Sequence, residues 1–153
     1  MKYEIYTDGA CSQNGTWDGG WAVVVVADGE VISEFGGHEK ETTNNRMEML
    51  AFIGALEYAK NLPVQNVSIH TDSAYVSNAF AQRWIVNWIK NGWKNSKKEP
   101  VKNKDLWEKI ISYEIPKIIK VKGHADNLYN NRVDKLAVYW RDNDEDTSDT
   151  RAD

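Results

Sequence analysis

Residues 2–7 alternate, with Tyr3 and Ile5 on one face and Glu4 and Tyr6 on the other, which is the period-two pattern of a β-strand. Gly9, Gly15, Gly19 and Gly20 punctuate the loop predicted to follow. Residues 21–27 are β-branched and nearly all apolar, as in a strand buried on both faces, and Asp28-Gly29 signals a hairpin into a partner strand over 30–38. The period then changes. Met47, Leu50, Ala51, Ile53, Gly54 and Leu56 fall at helical spacing within 43–60, with Thr42 or Thr43 near the N-cap. Pro63 ends the linker, 67–71 reads as a strand, and the chain from Ser73 onward as helix. A lysine- and tryptophan-rich stretch of helix and loop runs to about Pro100. A further helix is predicted over 103–113 and a strand over 116–122, broken by Gly123. A closing helix over 130–140 has Val133, Leu136, Ala137 and Trp140 among its apolar positions. This order predicts an α/β fold. Its mixed five-stranded sheet has three antiparallel strands followed by parallel ones, flanked by helices.

Composition narrows the class. The 153 residues are 41% hydrophobic and 27% charged, as expected of one globular domain with a single core. No apolar run approaches the roughly 20 residues of a membrane-spanning helix, so no membrane is expected. An acidic residue arrives too early in the N-terminal segment for a signal peptide. The lone Cys11 excludes an internal disulfide and suits a reducing cytoplasm.

A formal net charge of −4 argues against a nucleic-acid partner, but the sum hides two opposed blocks. Arg83, Lys90, Lys94, Lys97, Lys98, Lys102 and Lys104 are opposed only by Glu99, and Trp84, Trp88 and Trp93 are interleaved with them. Cations meet phosphates and flat rings pack on sugars or bases, so one basic face can serve a polyanion whatever the total charge. The same tryptophans at helical spacing also suit a core. Residues 142–153 are acidic and read as a disordered tail, leaving 1–141 as the folded unit.

Four acids then stand out by position. Asp8 is expected to follow the first strand and Asp72 follows the strand 67–71; if these strands lie parallel and adjacent, the two carboxylates meet. Glu48 lies mid-helix, one turn beyond Asn44-Asn45, and Asp134 lies among Val133, Leu136 and Ala137. Taken singly each acid suits a solvated surface; taken together two end strands and two interrupt amphipathic helices. Two carboxylates about 4 Å apart repel by roughly 4 kcal/mol at an effective dielectric of about 20. A hard divalent cation removes that cost, and oxygen-only ligands suit magnesium, with manganese as a substitute.

Five segments now resemble, in order, the motifs of type 1 ribonuclease H: Thr7-Asp8-Gly9-Ala10-Cys11, Thr42-Thr43-Asn44-Asn45-Arg46-Met47-Glu48, Thr71-Asp72-Ser73, Val121-Lys122-Gly123-His124 and Asn131-Arg132-Val133-Asp134. The segment from Trp84 to Trp107 resembles that family's basic protrusion. The resemblance implies an endonuclease that cuts the RNA strand of RNA–DNA hybrids, leaving 5′-phosphate and 3′-hydroxyl ends, with two Mg2+ ions. It implies that Asp8, Glu48, Asp72 and Asp134 hold the metals and that His124 assists proton transfer or product release. By the same resemblance, Cys11 and Ser12 (through their main chain) and Asn14 read RNA 2′-hydroxyls, while Thr43 and Asn45 hold a DNA phosphate. Asn44 contacts the minor groove, and Trp84, Trp88, Lys90, Trp93, Lys94, Lys97 and Lys98 form the protrusion's footprint. His70 and His38 match nothing and read as a sheet and a loop residue. Ala74 replaces a frequent glutamine, 12–15 lack the usual Asn-Pro-Gly turn, and no N-terminal hybrid-binding domain is expected. A monomer without an obligate protein partner is expected. The alternatives are another nuclease of the same fold, as in integrases and resolvases, and a non-catalytic hybrid-binding module.

Overall fold

A computed structural model describes residues 1–12, 17–122 and 127–143. Three antiparallel strands open the chain: β1 (Tyr3–Cys11), β2 (Gly19–Ala27) and β3 (Glu30–Glu39). The β2–β3 turn has Asp28 at φ 50° and Gly29 at φ 86°, the positive-φ pair that two-residue hairpins require. Helix α1 (Asn44–Ala59) follows, with the Thr43 side chain accepting from Arg46 N as its N-cap. A single 3₁₀ turn (Val64–Asn66) leads into β4 (Val67–Thr71), which pairs in parallel with β1. Then come α2 (Ala74–Ala81), α3 (Trp84–Lys90), α4 (Lys104–Ile111), β5 (Lys117–Lys120) and α5 (Leu128–Asp142). The sheet order is β3-β2-β1-β4-β5, with β5 parallel to β4.

Strand β2 is buried on both faces, as its sequence predicts. Val23 and Val25 join Ile5, Phe52, Leu56 and Ile69 under α1 and α4, while Ala22, Val24 and Val26 pack with Tyr6, Val133, Ala137 and Trp140 of α5. Each such side chain contributes roughly 1.5–3 kcal/mol when buried, so this one strand fastens both helical layers to the sheet. Close approach decides where those layers sit. A Cβ on Gly9 would lie 2.5 Å from Glu48 N, and one on Gly20 would lie 2.1 Å from Arg141 N. Only glycine lets α1 touch β1 and α5 touch β2 at these points.

Three expectations need correction. Strand β1 continues past Thr7, so Asp8 is a strand residue paired with Ala22 rather than the first residue after the strand. His38 belongs to β3, not to a loop, and its Nδ1 lies 2.8 Å from the Trp140 carbonyl. Helix α5 begins two residues early because Asn127 caps it, accepting from Tyr129 N and Asn130 N.

Candidate active site

Asp8, Glu48 and Asp72 converge, with one carboxylate oxygen from each lying within 4.8 Å of the others. Three elements bring them there. The parallel β1–β4 pairing sets Thr7 opposite Thr71, so the next residues, Asp8 and Asp72, emerge side by side. Gly9 admits α1 against β1, which places buried Glu48 over that central strand. After Thr71 the chain turns sharply: Thr71 Oγ1 accepts from Ser73 N, and Ser73 Oγ accepts from Val76 N as the N-cap of α2. That turn leaves Asp72 half-buried at the mouth of a cleft of about 430 Å³. Asp134 of α5 lines the same cleft, as do Asn44, Asn45 and Ala74.

The cluster is electrostatically uncomfortable without a cation. Burial first, then the negative charge of Asp72, with a hydrogen bond that protonated Asp8 donates to Asp134 adding to both, pushes the Asp8 carboxyl up to about 8. Burial followed by the charges of Asp8 and Asp72 pushes Glu48 well above the usual carboxylate range. Glu48 Oε1 is buried with no hydrogen-bond partner among the described residues. A buried acceptor left this way is costly, and an all-oxygen donor set around it fits a hard divalent ion. A larger groove of about 750 Å³ between Trp21, Phe35 and Tyr58 has no such convergence of acids, so chemistry rather than volume identifies the site.

The cleft contains residues that sequence reasoning missed. Tyr75 and Asn130 line it, and Asn130 is a buried polar residue one turn before Asp134 on α5. The i, i+4 spacing of Asn130 and Asp134 was the available signal. The Tyr75 hydroxyl accepts from Trp107 Nε1 at 3.2 Å and Asn103 Nδ2 at 3.3 Å, while Arg46 forks onto both oxygens of Asp105. The base of the basic protrusion is thereby tied to α1 and α2.

Within the protrusion the tryptophans pack inward. Trp84, Trp88 and Trp93 are half-buried against the main core, and Trp88 lies 5.6 Å from Trp107 by ring centroids. Trp84 and Trp88 also border a cleft of about 470 Å³ with Lys94. Lys90, Lys94, Lys97 and Lys98 are exposed. Asn95 Oδ1 accepts from Lys97 N and Glu99 N, pinning the loop that carries three of them.

Thr43, Asn44 and Asn45 are exposed at the start of α1, and Cys11 and Ser12 are half-buried at the end of β1. The Cys11 thiol is raised by burial and by the charge of Asp18, as suits a group without a nucleophilic role. Asn14, His124 and residues 144–153 of the acidic tail lie outside the described residues. No helix among the described residues is long and apolar enough to cross a membrane.

Comparison with known proteins agrees with this geometry. The family model RNase H matches residues 1–140. A ribonuclease H of Acetivibrio thermocellus is 53% identical over 140 residues, covering 90% of this chain and 92% of that protein. Among solved structures, LC9-RNase H1, a type 1 RNase H with the type 2 active-site motif, superposes with a TM-score of 0.81 at 26% identity, covering 99% of this chain and 76% of that one. LC11-RNase H1 in complex with an RNA/DNA hybrid superposes with a TM-score of 0.65 at 25% identity, covering 92% and 97%.

Proposed function

This chain belongs to the RNase H family, and on that premise we propose that it is an endonuclease hydrolysing the RNA strand of RNA–DNA hybrids. The observation that carries the proposal is the convergence of Asp8, Glu48 and Asp72, with a buried Glu48 oxygen that has no hydrogen-bond partner among the described residues. Asp8, Glu48, Asp72 and Asp134 would hold two Mg2+ ions, with Mn2+ able to replace them. Bound there, the ions supply a hydroxide-like water and charge stabilisation for the departing 3′ oxygen.

The chain's own residues do the rest. Asp8, buried where Asp72 is half-buried, would with Asp134 hold metal on the side from which water attacks, and with Glu48 and Asp72 on the side of the leaving group. Glu48, Cys11, Ser12 and Asn14 meet ribose 2′-hydroxyls, which distinguish RNA from DNA at a given site. The Thr43 hydroxyl uses a lone pair as the α1 cap, which leaves its O–H to donate to a DNA phosphate beside Asn45. Asn44 reaches the minor groove. His124 exchanges protons near the attacking water, a task suited to a group titrating near neutrality. The protrusion's exposed lysines neutralise backbone phosphates, and Trp84, Trp88 and Trp93 give them a rigid base. Residues 1–141 form the catalytic unit and the acidic residues 142–153 lie outside it. The chain acts as a monomer in the cytoplasm.

A labelled hybrid tests this reading. The wild type is expected to cut only the RNA strand, only with Mg2+ or Mn2+, and to leave duplex DNA intact. Asp72→Asn should abolish cleavage while hybrid binding persists. Binding without cleavage in the wild type would make the chain a hybrid-binding module, and preferred cutting of duplex DNA would make it a different nuclease of this fold.

A further inference from the structure

Trp17 is the one exposed tryptophan of the seven, with 49% of its surface open. Its backbone is unusual too. At φ 54° it occupies the left-handed region that a bulky aromatic residue rarely adopts. The indole adds nothing to the core: among the described residues it has no ring partner and belongs to neither core cluster. Strain held in place without a packing gain points to use by something that binds.

The backbone around Trp17 is firmly held. Its carbonyl accepts from Thr42 N at 3.0 Å, and the Cys11 thiol lies 3.8 Å from the same oxygen. The adjacent Asp18 carbonyl accepts from Ser12 N at 2.7 Å. Two residues on, Gly19 lies so close to Thr42 and Met47 that a Cβ there would come within 2.4 Å of the Thr42 side chain. The indole is thus borne on a stretch fastened to the end of β1 on one side and to the residue before the α1 cap on the other. Asn44 and Asn45, just beyond that cap, line the acidic cleft.

We propose that Trp17 is a substrate-contact residue, its indole face packing on the sugar rings of the bound hybrid beside the main chain of Cys11 and Ser12. The inference rests on the hybrid-nuclease reading above. An aromatic face suits this place because stacking and sugar packing tolerate any sequence, as a nuclease without base readout requires. An indole also offers a large flat area at low entropic cost.

The experiment measures kcat and KM on a labelled hybrid for wild type, Trp17→Ala, Trp17→Gly and Trp17→Phe. Glycine removes the ring and the backbone strain together, whereas alanine removes the ring alone. Both are expected to raise KM by roughly fivefold to tenfold with little change in kcat, while phenylalanine stays within about twofold of wild type. The dependence of KM on salt should keep its slope, since the ring neutralises no phosphate. The Mg2+-induced rise in melting temperature should also be unchanged. KM within twofold of wild type for both alanine and glycine would overturn the assignment. So would a loss that phenylalanine fails to restore, or one accompanied by a weakened Mg2+ response, since either marks a structural role. A wild type that cuts no hybrid would instead overturn the underlying reading, and this one with it.

Discussion

Asp8 sits where two unfavourable conditions meet: it is buried, and it faces other carboxylates. Both favour its protonated form, and the same holds for Glu48. At these two carboxyls the folded chain therefore holds more protons than the unfolded chain from about pH 4 up to about 8. Stability must fall as pH rises through that window, because unfolding releases the groups to ionise freely. Melting of the metal-free protein across pH 4–9 should show this decline, and Asp8→Asn should flatten it while abolishing cleavage. Saturating Mg2+ should reverse the trend, since only the ionised acids bind the cation and folded-state binding stabilises by mass action. A metal-free melting temperature that rises steadily from pH 5 to 8 would contradict the burial of these acids.

At the scale of elements, the site depends on how closely α1 approaches β1. Gly9→Ala puts a methyl group within 3 Å of backbone atoms of Met47 and Glu48, which cannot move without shifting the helix. A loss of about 1–3 kcal/mol is expected. For a chain of this size about 1 kcal/mol lowers the melting temperature by roughly 2–4 °C. Activity should fall further than stability, because Glu48 moves with α1; a variant of unchanged Tm and activity would show the approach to be unimportant. The protrusion is a separate device. Replacing Lys90, Lys94, Lys97 and Lys98 together by Ala should raise the hybrid KM and flatten its salt dependence, each lost phosphate contact reducing the log–log slope by roughly 0.7–0.9. An unaltered slope would place the footprint elsewhere.

Element identity was legible because period two and period 3.6 are local signals: β4 runs over 67–71 as its pattern predicts, and Thr43 caps α1. Element ends were less so. Asp8 lies inside β1 because Ala10 and Cys11 pair with Gly20 and Gly19, a contact that only the assembled hairpin provides. The strand over 30–38 was legible to within a residue, but the loop reading of His38 missed that its ring faces the Trp140 carbonyl of α5, a contact only the packed helix provides. Tyr75 reaches the cleft through tertiary packing, of which a single aromatic residue in an amphipathic helix carries no mark, and Asn130 was signalled only by its i, i+4 spacing from Asp134. The inward packing of Trp88 on Trp107 was not separable from a surface role, because a ring at helical spacing looks alike whether it meets the core or a ligand.

Across the whole molecule, a chain of net charge −4 concentrates negative charge where cations are needed and positive charge where a polyanion would lie. The sheet order β3-β2-β1-β4-β5 makes this possible by placing β1 and β4 together at its centre, although 55 residues separate Tyr3–Cys11 from Val67–Thr71. The most direct measurement is anomalous scattering from a crystal of the Asp72→Asn protein grown with an RNA–DNA hybrid and Mn2+. Density for metal is expected in contact with Asp8 and Glu48, with Asp134 lining the same pocket and the hybrid's RNA strand passing over it. A crystal with the hybrid bound but no manganese among these carboxylates would contradict the account.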